Sequence, residues 1–170
     1  TVVFDALGNL YRTQGEGPTG GPTSINTTLR ADIALITSAA RAIRVHVSDL
    51  PNITHGVSTK ASSADEFLGL TKERVIAAAA WTSAETFALG TKHGVVKRLT
   101  GPLPDKDEVS VVSLKDLDEV VGFAPCDDDA ELWFVTAAGN LLVFPATAVR
   151  PQGLAAGGMQ GISTGDTYVI

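Results

Sequence analysis

The stretch Glu85-Thr86-Phe87-Ala88-Leu89-Gly90-Thr91-Lys92-His93-Gly94-Val95-Val96-Lys97-Arg98 decides how the remaining residues are taken. It reads as two short strands folded over a His93-Gly94 turn, with Gly94 supplying the positive φ that a hairpin turn needs. The second strand runs into two adjacent cations, Lys97 and Arg98. Three more stretches repeat the pattern. Val2-Val3-Phe4-Asp5-Ala6-Leu7-Gly8-Asn9-Leu10-Tyr11-Arg12 turns near Gly8-Asn9. Ile33 to Val45 repeats it without a turn glycine, and Leu132 to Phe144 repeats it over Gly139-Asn140.

A second element precedes the later hairpins. Lys72-Glu73-Arg74-Val75-Ile76 aligns with Leu117-Asp118-Glu119-Val120-Val121, and both align with Gly165-Asp166-Thr167-Tyr168-Val169. Each leads from polar residues into an apolar stretch, as a strand entered from a turn does. Gly94 to Gly139 and Val75 to Val120 are both 45 residues apart. Two anchors with one period, and several short strands per period, predict an all-β, propeller-like array of three to four blades.

The first unit fits less well. Its spacing to the second falls to about 33, and Gln14 to Ser24 has almost no apolar residue. Residues 14–28 are therefore expected to be a flexible loop in a shortened first blade that has lost a strand. The chain is taken as one domain over 1–170, an incomplete ring, and a piece of a longer protein because it begins at Thr1. Ser62 or Ser63 is positioned to cap a helical turn. The alanine run from Ala77 to Ala80 favours helix by propensity, but its place in the repeat predicts a strand.

Composition excludes several classes. The chain is 44% hydrophobic and 19% charged, with a single cysteine, Cys126. An internal disulfide and a multi-cysteine zinc site are ruled out, and a reducing, cytoplasmic setting fits. No apolar run approaches the ~20 residues that span a bilayer. The net charge of −6 is uneven. Residues 31–100 carry eight Lys/Arg against six Asp/Glu, whereas residues 101–170 carry three against eleven. An anion-binding surface is therefore expected in the middle of the chain.

No catalytic constellation emerges. The Gly-rich loop at 15–21 lacks the Lys-Ser/Thr of a phosphate-binding loop. Asp127-Asp128-Asp129 with Glu131 lacks the spacing of a calcium loop and reads as a solvated turn. His46, His55 and His93 have no metal-ligand spacing, and no nucleophile has an evident base. The recurring chemistry is cationic. Lys97-Arg98, Arg41 with Arg44, and Arg12 lie just after the turns of units three, two and one, so the repeat projects them on one rim. Such a row could track duplex phosphates; ordinary solvated strand ends explain the spacing equally well.

Four runs, in order, carry a resemblance to a known family. They are Leu89 to Arg98, Leu114 to Gly122, Phe134 to Gly139, and Ala148-Val149-Arg150-Pro151-Gln152-Gly153 continuing through Gly157 to Ile162. Together they resemble the C-terminal β-pinwheel domain of the A subunit of bacterial type IIA topoisomerases, DNA gyrase and topoisomerase IV, over about residues 33–170. The resemblance implies a non-catalytic domain that binds and bends duplex DNA on a basic rim. Its implied partners are double-stranded DNA, the topoisomerase catalytic core and the ATPase B subunit. It implies no cofactor in this domain, ATP and Mg belonging to other regions of the parent enzyme, and a cytoplasmic, nucleoid-associated location without membrane contact.

The matching DNA-binding positions are Arg44, Lys92, Lys97, Arg98 and Arg150, with Arg12 and Arg41 in units that match less closely. Two departures stand out. The loop Gln14 to Gly21 keeps glycines but has none of the cations of the gyrase heptapeptide, and Leu154 stands where the family usually has Arg. Both imply a topoisomerase IV-like subunit, and the pattern Ala148-Val149-Arg150-Pro151-Gln152-Gly153 most resembles the actinobacterial version of it. A propeller-type protein-interaction module is the alternative, favoured by the acidic residues of 101–170. On the DNA-binding reading, Lys97→Ala with Arg98→Ala is expected to weaken DNA binding and leave the fold intact.

Overall fold

The computed structural model describes residues 1–14, 23–53 and 62–170. Four antiparallel hairpins form its skeleton: β1 (Val2–Phe4) with β2 (Asn9–Arg12), β4 (Asp32–Thr37) with β5 (Arg41–His46), β8 (Thr86–Thr91) with β9 (Val95–Thr100), and β12 (Glu131–Val135) with β13 (Leu141–Pro145). Between them lie β3 (Thr23–Ile25), β6 (Ser62–Ser63), the helical turn α1 (Ala64–Leu68), β7 (Val75–Ala80), β10 (Glu108–Ser110), β11 (Val120–Pro125) and β14 (Met159–Gln160).

The four turns share one construction. The carbonyls of Asp5, Thr37, Thr91 and Thr136 accept the N–H of Gly8, Ala40, Gly94 and Gly139. Their side-chain oxygens accept the N–H of the following residues, Asn9, Arg41, Val95 and Asn140, at 2.9, 3.3, 3.1 and 3.1 Å. This is a type I turn followed by one left-handed residue. The φ there is 79° at Gly8, 64° at Ala40, 82° at Gly94 and 82° at Gly139. Ala40 thus takes the place of the glycine missing from the second hairpin.

Each of the first three hairpins is the centre of a four-stranded sheet: β3-β1-β2-β6, β10-β5-β4-β7 and β11-β8-β9-β14. The second strand of each hairpin pairs with a strand that follows the next hairpin. So β6 pairs with β2, β10 with β5 and β14 with β9. Each of these three blades is completed by the next unit, and neighbours are interlocked by backbone hydrogen bonds. The β12–β13 sheet has two strands, extended by a bridge between Thr136 and Val169. Among the described residues the blades form an open array.

Packing between blades follows the alternation of side chains along a strand. Val2 and Phe4 meet Ile33 and Leu35 in one core cluster. Ala34 and Ile36 meet Phe87 and Leu89 in the next. β4 is buried on both faces from Ile33 to Thr37, which is why it reads as a continuous apolar run. At the third interface Gly90 leaves room for Phe134: a Cβ there would sit 3.0 Å from the ring.

The first unit departs from expectation. It has lost no strand, because β3 pairs with β1 and β6 with β2. Within the loop expected over 14–28, Thr23 to Ile25 is strand, drawn into the edge of the sheet; residues 15–22, with the Gly-rich loop, lie outside the described residues, as does His55. The alanine run is β7, paired with β4, so sheet context overrides helical propensity. α1 is capped by Ser63, whose hydroxyl accepts the N–H of Glu66, and it ends at Gly69 with φ 65°. The last lead-in aligns one residue away from its sequence reading. The carbonyls of Arg74, Glu119 and Tyr168 accept equivalent N–H groups, from Ser38, Lys92 and Ala137.

Candidate nucleic-acid interface

The rim expected from the sequence divides into three environments. Arg12, Arg44 and Arg98 each stand four residues beyond the positive-φ turn residue, yet they meet different neighbours.

Lys97 and Arg98 are not on a rim; the expectation that both face solvent is overturned by burial. Lys97 is 0% exposed and Arg98 is 2%. The Lys97 ammonium donates to three backbone carbonyls, those of Val111 at 2.8 Å, Leu154 at 2.9 Å and Ala156 at 2.9 Å. Burial pulls its pKa down to about 8. The Arg98 guanidinium donates to the carbonyls of Ala146 at 3.0 Å, Val149 at 3.2 Å and Cys126 at 3.2 Å, and to the Asp128 carboxylate at 2.6 Å. The backbone joins in, since Gln152 donates its N–H to the Arg98 carbonyl. Both cations therefore fasten β9 to segments of the fourth unit. Asp127, Asp128 and Asp129 do form an exposed turn between β11 and β12, with Asp128 spent on Arg98.

Arg12 is a milder version of the same contact. Its Nε donates to the carbonyl of Leu50 at 3.1 Å, just beyond the 3-10 turn Val47–Asp49 of the second unit. Arg98 reaches the corresponding carbonyl, that of Val149, just beyond the 3-10 turn Ala146–Ala148 of the fourth.

Arg41, Arg44 and Lys92 keep partial solvent access but carry ion pairs. Arg41 bridges Glu73 at 2.5 Å and Glu108 at 2.8 Å, and these hydrogen bonds raise its pKa further. Arg44 bridges Asp32 at 2.6 Å and Asp105 at 2.5 Å, and lies 5.5 Å from the Trp81 ring centre. His46 also contacts Asp32. Burial pushes the Asp32 carboxyl up, but the hydrogen bonds from Arg44 and His46 outweigh it and hold the pKa low. Lys92 pairs with Glu119 at 3.0 Å and lies 5.4 Å from the Tyr168 ring centre.

Arg150 is exposed and makes no ion pair or hydrogen bond among the described residues. The side chains of Arg30, Lys72, Arg74, Lys106 and Lys115 are likewise exposed and without an ion pair or hydrogen bond among the described residues, and the repeat reading selected none of them. Lys72 and Arg74 were within reach of it, since they sit in the lead-in element that the sequence aligns with Leu117 to Glu119.

A cavity of about 600 Å³ opens where β3, β7 and β11 converge, lined by Thr23, Ser24, Asn26 and the β7 alanines with Glu85. Among the described residues no His, Cys or Lys lines it. Among the described residues no group of three or more His, Cys, Asp or Glu is arranged to hold a metal ion, and no helix is long and apolar enough to cross a membrane.

Hairpin blades closed by strands from the following unit define a β-pinwheel. Comparison with known proteins narrows this. The family model "DNA gyrase C-terminal domain, beta-propeller" matches residues 31–61 and 130–168. The DNA gyrase A subunit of Mycobacterium bovis is 32% identical over 143 residues, covering 76% of this chain. That of Mycolicibacterium smegmatis is 29% identical over the same length. The chain spans 16% of the length of each of these relatives. Among solved structures, the C-terminal domain of DNA topoisomerase IV superposes with a TM-score of 0.80 at 20% identity, covering 99% of this chain and 58% of that one. The E. coli ParC C-terminal domain gives 0.72 at 15% identity, covering 99% and 76%. The chain belongs to the family of C-terminal β-pinwheel domains of bacterial type IIA topoisomerase A subunits. In that family the domain is an accessory, non-catalytic part of the enzyme.

Proposed function

We propose that this domain binds and bends duplex DNA without sequence preference and presents segments to the strand-passage core of a type IIA topoisomerase. The observation that carries this is the 32% identity with DNA gyrase A subunits. Duplex DNA, the catalytic core and the ATPase B subunit are the partners on this reading, ATP and Mg are used elsewhere in the parent enzyme, and the setting is the cytoplasm at the nucleoid. Arg12, Arg41, Arg44, Lys92 and Arg150 remain candidate phosphate contacts because each side chain keeps access to solvent. Lys97 and Arg98 do not.

Bending tens of base pairs costs roughly 1–6 kcal/mol, which several phosphate contacts offset. With three candidate cations already ion-paired, binding is weak and salt-sensitive. Titration on a linear duplex at low and moderate salt tests this: affinity should fall steeply with salt, and no binding at low salt would sink the reading. The absence of cations from Gln14 to Gly21 and the presence of Leu154 support a topoisomerase IV-like subunit. An A subunit carrying this domain should then decatenate or relax DNA and fail to introduce negative supercoils. A protein-interaction module is the second reading, supported by the exposed apolar face of blade four, where Trp133 is 62% and Leu141 is 56% accessible.

A further inference from the structure

Building on that DNA-binding reading, we infer that the duplex lies on the end of the blades that carries the hairpin turns. Lys72, Arg74 and Lys115 make the leading phosphate contacts there, with Leu117 as an apolar contact beside them. The described cations that lack a partner divide between two ends. Lys72 and Arg74 lead into β7 beside the turn of β4–β5, where the N–H of Arg74 donates to Ser38 Oγ at 3.2 Å and its carbonyl accepts the Ser38 N–H. Lys115 leads into β11 beside the turn of β8–β9, where the N–H of His93 donates to Asp118 at 3.0 Å. They lie in the equivalent lead-in segments one blade apart, with Lys72 at the repeat position of Leu117 and Lys115 two residues before it, so the segments place all three cations along one rim. Arg30, Lys106 and Arg150 stand at the opposite end, before β4, before β10 and beyond the 3-10 turn that follows β13.

Acidic surroundings separate the two ends. On the turn rim Glu73 is held by Arg41 and Glu119 by Lys92. Asp118 is filled by the N–H groups of His93 and Glu119, which leaves Asp116 as the open carboxylate of that loop. At the opposite end Asp107, Asp127, Asp129 and Glu131 are all exposed, and Asp105 is 95% accessible beside Arg44. A polyanion meets less repulsion on the turn rim.

A second observation marks the same rim. Leu117 is 94% exposed and has φ 61°, a conformation that non-glycine residues seldom adopt. The Asp118 contacts hold the loop in place, so the leucine is presented to solvent by a fixed backbone. An exposed apolar tip between cations suits packing against sugars or a base step.

The test uses this chain and a fluorescent linear duplex, with thermal melts confirming that each variant is folded. Lys72→Ala/Arg74→Ala/Lys115→Ala should weaken binding at low salt by about tenfold or more and flatten the salt slope by about 3, near 0.9 per lost contact. Arg30→Ala/Lys106→Ala, at the opposite end, should stay within about twofold of the parent. Leu117→Gly should lower affinity while leaving the salt slope unchanged. Equal losses in the triple variant and the Arg30→Ala/Lys106→Ala variant, or a larger loss in the latter, would overturn the rim assignment while the DNA-binding reading stands. A parent chain that binds no duplex at low salt overturns both.

Discussion

Four residues past the positive-φ position of its turn, blade two carries Arg44 and blade three carries Arg98. Arg44 sits among carboxylates at the surface, whereas Arg98 is enclosed by carbonyls. The difference comes from the following unit. After β13 the chain makes a 3-10 turn whose carbonyls point at Arg98, and after β5 an equivalent turn meets Arg12. After β9 the chain runs instead into Gly101-Pro102 and returns to β10, so Arg44 is left to Asp32, Asp105 and Trp81. One step nearer the turn, Ile43 corresponds to Lys97, and only blade three must satisfy the carbonyls of the 153–156 loop. The same repeat position is a surface group or an internal fastener according to what its neighbour lays over it.

The largest effect expected from this contrast is on stability. Arg98→Leu removes four hydrogen bonds and leaves the carbonyls of Cys126, Ala146 and Val149 facing an apolar side chain. It should cost about 4 kcal/mol in urea denaturation, and blade four should lose protection first in hydrogen exchange. Arg44→Leu should cost about 1 kcal/mol at most, because its pairs with Asp32 and Asp105 keep partial contact with solvent. Comparable losses would erase the distinction between the two blades. The expectation that Lys97 and Arg98 can be exchanged for alanine without harm to the fold is thereby reversed.

Lys97→Met should cost about 3 kcal/mol, because it strands three acceptors at once. The pH dependence has a definite sign. The folded pKa of Lys97 is depressed to about 8, so between about pH 8 and 10.4 the unfolded chain binds more protons. Wild-type stability should therefore rise with pH across that window, and this rise should be missing from Lys97→Met. Melting temperatures of the two proteins, taken side by side from pH 7.5 to 10, check the direction.

Sequence patterning carried most of this architecture. The 45-residue period, the turn glycines and the strand assignment of the alanine run all correspond to structure, because turn chemistry and side-chain alternation are local. Strand exchange was hidden, since β6, β10 and β14 are only two or three residues long and their partners belong to the preceding unit. That is why the first blade looked one strand short. Burial of Lys97 and Arg98 was hidden for the same reason. The carbonyls that receive them come from residues up to 59 positions away, and backbone acceptors leave no mark in sequence. That Gly94 is buried while Gly139 is exposed was likewise not evident from the pattern.

Those glycines extend the comparison to smaller effects. Gly94 and Gly139 share φ 82°, but a Cβ at Gly94 would fall 2.1 Å from the Ile162 carbonyl oxygen, while Gly139 has open space. Gly94→Ala should cost about 3 kcal/mol and Gly139→Ala about 1 kcal/mol by equilibrium denaturation. Ala40→Gly removes the strain of an alanine at φ 64° and should stabilise the chain by about 0.5 kcal/mol.

The central claim is that the cations of β9 hold blades together and do not meet DNA. Amine labelling of the native chain, quantified by mass spectrometry with and without duplex, addresses it most directly. Lys97 should stay unmodified in both samples, while Lys72, Lys106 and Lys115 react freely and duplex protects Lys72 and Lys115. A Lys97 that reacts as readily as Lys115 in the free chain and becomes protected by duplex would contradict the account.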